Sequence, residues 1–226
     1  MIPRSFLLLV DSETVQSGKI FDFCYQVIQK SYPFAVVHSG NWIVKDFCTE
    51  QLFSIEKSTV FSRASVARRT EAYRQMVRDG LRIVASVDNI NINLKYIVEM
   101  WDPEVMAYNV SFDISAMKKT GLFTGFKSSR CLMQNCISLF LDRKGYRSFA
   151  LKYGAFTDKG ILSFNAQNMY RYIFNEPDFI ESHTAAHDVE IERAIYCYVA
   201  RQKKSLKVKK IDFKKLKYSV IYNQIH

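Results

Sequence analysis

Residues 5–11, SFLLLVD, form an uninterrupted apolar run that ends in an acid. A strand with no polar face to offer water suits the centre of a sheet buried on both sides. Residues 20–28, IFDFCYQVI, are aromatic and β-branched enough for a second strand, and VMAYN at 105–109 reads as a short one. FAVVH (34–38) and WIVK (42–45) flank Ser39-Gly40-Asn41, and a three-residue polar connection containing glycine predicts a hairpin. His38 would then close the first strand of that hairpin and serve a structural role.

Helical spacing takes over between these runs. Val66, Tyr73, Met76 and Val77 recur at roughly helical intervals, with Arg68, Arg69, Arg74 and Arg78 between them. Ile90, Leu94, Ile97, Val98 and Trp101 make an amphipathic stripe that Asp102-Pro103 stops. A short helical pattern runs from about Phe112 to Lys118, and a last strong one from about Thr184 to Lys204 with Ile191, Ala194, Ile195, Tyr198 and Val199 on one face. Strands and helices are mixed, so the predicted class is α/β.

At 226 residues the chain suits one sizeable domain. No stretch approaches the roughly 18 apolar residues that span a bilayer. The opening MIPRSFLLLVDSE reads as a buried strand rather than a signal peptide, since acids interrupt its apolar run at once. The five cysteines (24, 48, 131, 136, 197) form no CxxC pair, which suggests reduced core thiols and a cytoplasmic location. The net charge of +10 is concentrated at one end: from Arg201 to His226, nine basic residues face Asp212 alone, leaving +2 for the rest. A basic tail at 201–226 following a domain at 1–200 suits a polyanionic partner, or else a solvated terminus.

Three polar stretches carry possible chemistry. In VDSET, Asp11 and Glu13 stand two apart on an extended strand and point to one face, where they repel unless a cation lies between them. A hard divalent ion such as Mg²⁺ answers that need, as does a salt bridge or simple solvation. AYNVSFD (107–113) has a similar form, with Asp113 near a helix start, where an acid also simply favours the helix dipole. HTAAHD (183–188) holds His183 and His187 four apart, the spacing of a zinc pair on a helix. Zinc needs further ligands, however, and no cysteine or histidine cluster supplies them. The H-E-x-x-H pattern is also absent, because Thr184 occupies the second position.

Taken together, FLLLVDSET, AYNVSFD and a histidine followed five residues later by aspartate resemble the three motifs of the DnaQ-like 3′–5′ exonucleases, the DEDD nucleases. The resemblance covers residues 5 to about 200. It implies a ribonuclease H-like fold, a mixed β-sheet flanked by α-helices. It also implies Asp11, Glu13, Asp113 and Asp188 as ligands of two divalent ions, Mg²⁺ or Mn²⁺, and His183 as general base. Thr184 stands where the sister subtype carries tyrosine, so the chain resembles the histidine subtype. Tyr108 replaces a histidine common among relatives, and His187 reads as a bystander or, less so, as support for Asp188.

The implied reaction is phosphodiester hydrolysis, in which two ions clamp the attacking and departing oxygens and an imidazole takes a proton from water. The implied partner is single-stranded nucleic acid with a free 3′ end, DNA favoured over RNA, and nucleoside monophosphates are the products. Ser12, Thr14, Asn109 and Phe112 would line the pocket of the terminal nucleotide. On a regular strand Ser12 points away from Asp11, leaving its backbone to reach substrate, and an aromatic like Phe112 is more often core than stacking platform. The arginines at 68, 69, 74 and 78 and the lysine tail would follow the strand, if they are not merely solvated. An exoribonuclease, or a binding adaptor on the same fold without catalysis, are the rival readings.

Overall fold

The computed structural model describes residues 5–47, 71–202 and 216–225, apart from residues 16 and 72. Chain contacts divide it into two compact units, one of residues 1–130 and 182–190, the other of 131–181 and 191–226. The strands are β1 (Phe6–Thr14), β2 (Ile20–Gln29), β3 (Val36–Val44), β4 (Ile83–Ala85), β5 (Glu104–Ala107) and β6 (Ser129–Cys131). Helices are α1 (Val87–Trp101), α2 (Val110–Thr120), α3 (Leu132–Phe140), α4 (Lys144–Tyr153), α5 (Ala166–Phe174), α6 (Ala185–Ala200) and α7 (Tyr218–Ile225). Residues 73–78 are also helical.

The sheet order is β4-β3-β2-β1-β5-β6. β1, β2 and β3 pair antiparallel, whereas β5 runs parallel to β1 and β4 parallel to β3, so the sheet is mixed. Side chains alternate between its faces. Leu8, Val10 and Ser12 share one face with their partners Val27, Tyr25 and Phe23, while Leu9, Asp11 and Glu13 share the other with Gln26, Cys24 and Asp22.

Helices cover both faces, as the apolar β1 demands. Leu7 to Val10 are all buried. On the Ser12 face, α2 meets β1 through Asp113, and the Trp101 ring of α1 lies 5.4 Å from His38. On the Asp11 face, the start of α6 meets β2, where the Gln26 amide donates to Glu190 at 2.5 Å. Ser86 caps α1 by accepting the Asn89 N–H, and the helix ends at Asp102, which takes a left-handed conformation just before Pro103.

The expected hairpin at 34–45 is absent. β3 runs unbroken through Ser39-Gly40-Asn41, which pair with Gln26, Tyr25 and Cys24. Gly40 serves close packing instead of a turn: a Cβ there would sit 2.4 Å from the rings of both Trp42 and Tyr25. Those rings pack 5.0 Å apart. His38, with Nδ1 3.0 Å from the Tyr25 hydroxyl, is the structural residue its sequence context suggested. Gly40→Ala is expected to cost about 1–3 kcal/mol through overpacking, measurable by urea unfolding followed by tryptophan fluorescence.

In the second unit α3, α4 and α5 occupy a stretch to which the sequence reading assigned no element; they are only nine, ten and nine residues long, and the latter two are rich in aromatics. Tyr146 and Phe140 are fully buried there. The basic terminal segment ends in structure: Lys217 bridges to Ile161, and Leu216 and Ile221 are buried. Its lysines 203–215 lie outside the described residues, as do Cys48, Arg68, Arg69 and the expected helix start at Val66. Arg78 and Arg74 are exposed and face Glu71 at 2.6 and 3.9 Å. Cys24, Cys131 and Cys136 are buried free thiols, as expected of core residues. Among the described residues no helix is long and apolar enough to cross a membrane.

Candidate metal centre

β1 stays extended past its apolar stretch to Thr14, which keeps Asp11 and Glu13 on one face, both half-buried. The register with β2 is regular up to the pair Glu13–Asp22 and then shifts, so Thr14 pairs with Ile20 at an irregularity that ends the regular ladder.

The opposite wall comes from HTAAHD. Its helix begins at Ala185, close to the expected start at about Thr184, so His183 precedes α6 while Asp188 lies within its first turns. The Asp188 N–H donates to the Thr184 carbonyl at 2.9 Å, the first turn of the helix. His183 adopts a positive φ of 54°. For a residue with a Cβ that conformation costs about 1 kcal/mol or more and persists only where surrounding structure enforces it. Thr184 and Ala185 supply the enforcement on one side, since both are almost completely buried.

Glu13, His183 and Asp188 thereby converge: one ligand atom from each lies within 4.8 Å of the others. Asp11 and Asp113 fall outside that group of three. Cations of Mg²⁺ size hold ligand atoms about 3 to 4 Å apart, so small side-chain rotations would close the group around one ion. Two carboxylates and an imidazole suit Mn²⁺, and the carboxylates alone suit Mg²⁺.

Asp113 approaches β1 from the other face. The Ser12 hydroxyl, pointing away from Asp11 as strand geometry requires, donates to Asp113 Oδ1 at 2.7 Å. Burial pushes the Asp113 carboxyl up to about 7, against the pull of the Ser12 hydrogen bond. Ser12 is itself buried, with its hydroxyl committed to Asp113.

His187 stands apart from His183. Its Nδ1 lies 2.8 Å from the Ser182 hydroxyl and 4.0 Å from Asp188, beyond hydrogen-bond reach. Partial burial holds its imidazole below the usual histidine range, against the nearby Glu190 carboxylate. Asn109, Ser111 and Phe112 at the start of α2 are exposed. Phe112 is 49% exposed, outside the core where an aromatic is more often found. Tyr108 is buried and Thr14 half-buried.

Sequence reading missed what holds the two walls together. Asp22 lies directly across from Glu13 on β2, and its carboxylate is completely buried. It accepts from Arg82 at 2.7 Å, from the Ala185 N–H at 2.9 Å and from the Tyr73 hydroxyl. Tyr73 is fixed in turn by Phe21 and Ile43. Burial pushes the Asp22 carboxyl above its ordinary range, and the Arg82 guanidinium is the foremost influence pulling it down. The signal was available: an acid inside IFDFCYQVI, surrounded by core residues, demands a cation or several donors. No protein-family model matches the chain, and no curated protein sequence matches it significantly.

Proposed function

We propose that this protein is a metal-dependent 3′–5′ exonuclease of the DEDD type, acting on single-stranded nucleic acid, DNA ahead of RNA, on a ribonuclease H-like fold. The convergence of Glu13, His183 and Asp188 from opposite ends of the chain is the observation that carries the reading. The architecture is in keeping with it, being a mixed β-sheet flanked by α-helices, as the resemblance implies. Glu13 and Asp188 would hold a divalent ion, with Asp11, on the same face of β1, as the candidate for a further ligand; Asp113, bonded to Ser12 from the other face, would join a two-ion set only by reaching around the strand end. When bound, such ions offset phosphate charge and acidify water.

The chain's own groups divide the remaining work. His183 takes the proton of the attacking water, a role imidazoles perform near neutral pH because they titrate at about 6.5. The exposed Phe112 offers a face for the terminal base, and exposed Asn109 a polar edge beside it.

The direct test incubates 5′-labelled single-stranded DNA, single-stranded RNA and duplexes with Mg²⁺, Mn²⁺ or EDTA. A ladder shortening from the 3′ end in either metal, and none in EDTA, is expected. Binding without cleavage in both metals would replace the nuclease reading with the adaptor one.

A further inference from the structure

We propose that Asp22 is the positioning residue that sets the His183 loop against Glu13, acting through the backbone at the start of α6. This deepens the nuclease reading and rests on it only for its kinetic consequence. Directly paired residues of antiparallel strands share a face, so Asp22 and Glu13 project to the same side of the sheet. The Asp22 carboxylate then takes the N–H of Ala185, two residues beyond His183 and three before Asp188. One carboxylate therefore registers both halves of the candidate centre to each other. It cannot drift, because Arg82 and Tyr73 bind it as well, and its side chain and that of Arg82 are both 0% exposed. The left-handed backbone of His183 lies two residues before this anchor, which supplies external constraint of the kind such a conformation needs.

A merely structural buried ion pair would lower stability when altered and leave the centre's geometry alone. Asp22→Asn keeps an acceptor for Ala185 but loses the charge facing Arg82, Asp22→Ala loses both, and Tyr73→Phe removes one donor without touching the acceptor. The primary readout needs no metal and no turnover: the imidazole resonance of His183, assigned with His183→Ala, followed in folded protein. It should move clearly in Asp22→Ala, less in Asp22→Asn and least in Tyr73→Phe. The Mn²⁺ concentration that half-broadens this resonance should rise about tenfold or more in Asp22→Ala. In nuclease assays kcat should fall about tenfold or more with KM little changed, and Asp22→Asn should recover part of it.

A His183 resonance that stays in place in Asp22→Asn and Asp22→Ala overturns the proposal, even if the protein is an active nuclease. Should Asp22→Ala fail to fold, Asp22→Asn and Tyr73→Phe decide by the same resonance. Displacement of that resonance in a protein without any cleavage activity would uphold the positioning role while removing the nuclease reading.

Discussion

Replacing His183 by glycine should nearly abolish exonuclease turnover and yet yield a protein more stable than His183→Ala. The two effects separate because they come from different parts of the residue. The imidazole carries the proposed proton transfer, and loss of a general base typically lowers turnover by about 10²–10⁴-fold. The backbone carries a φ of 54°, which alanine must also adopt and glycine accepts without a Cβ clash. Glycine should therefore exceed alanine by about 1 kcal/mol in urea unfolding. Equal turnover in wild type and His183→Gly would end the role proposed for the imidazole. A glycine variant less stable than the alanine one would show that the local backbone is not strained as described. Asp188→Ala should match the loss of turnover, since its carboxylate is the only one α6 brings to the group of three.

Arg82→Leu is expected to be strongly destabilising, at about 3–5 kcal/mol near neutral pH. It strips the guanidinium from a carboxylate that is itself fully buried. The sign of the pH dependence follows from the direction of the Asp22 shift. Burial already raises this carboxyl, and losing Arg82 raises it further. A carboxyl raised in the folded state contributes stability below its unfolded pKa of about 3.9 and loses it as pH climbs towards the folded value. The deficit should accordingly be smallest near pH 4 and largest at neutrality, which unfolding curves across that range would reveal. Adding Asp22→Asn should recover part of the loss, because the buried charge is then gone while the acceptor for Ala185 remains. A deficit independent of pH, or below about 1 kcal/mol, would mean that the pair is far more solvated than its burial implies.

The two changes probe the same few residues from opposite sides. His183 holds a costly backbone conformation at the candidate centre, while Asp22 and Arg82 form a charged pair inside the core. Strain at a reactive position is tolerated where neighbouring structure over-determines it. The Ala185 N–H on the Asp22 carboxylate is the neighbouring contact that links them.

Much of this arrangement was legible before any coordinates. SFLLLVD announced a strand covered on both faces, the stripe from Ile90 to Trp101 a helix, and the i, i+2 spacing of Asp11 and Glu13 a shared face. Each of these depends on local periodicity, which the chain carries in one dimension. The hairpin at Gly40 failed for an equally physical reason. Glycine serves tight turns and close packing alike, and only the rings of Tyr25 and Trp42 across and along β3 distinguish the two. Helices α3 to α5 went unread because nine or ten residues span fewer than three helical turns, too short a stretch to separate helix from strand by pattern alone.

The site divides along the same line. The resemblance of three short motifs to a known family singled out His183, Asp188 and Glu13 together with Asp11 and Asp113; residue types alone left His183 and His187 of equal standing. Which of them meet depends on register and helix start, and these arise from long-range pairing. Register sends Ser12 to Asp113 and leaves Asp113 outside the group of three, while Asp22, an acid with no motif around it, becomes the tie between β2 and α6. A buried charge advertises that partners exist; only the folded chain names Arg82, Tyr73 and the Ala185 N–H as those partners, since they lie far from Asp22 in sequence and come together through the sheet.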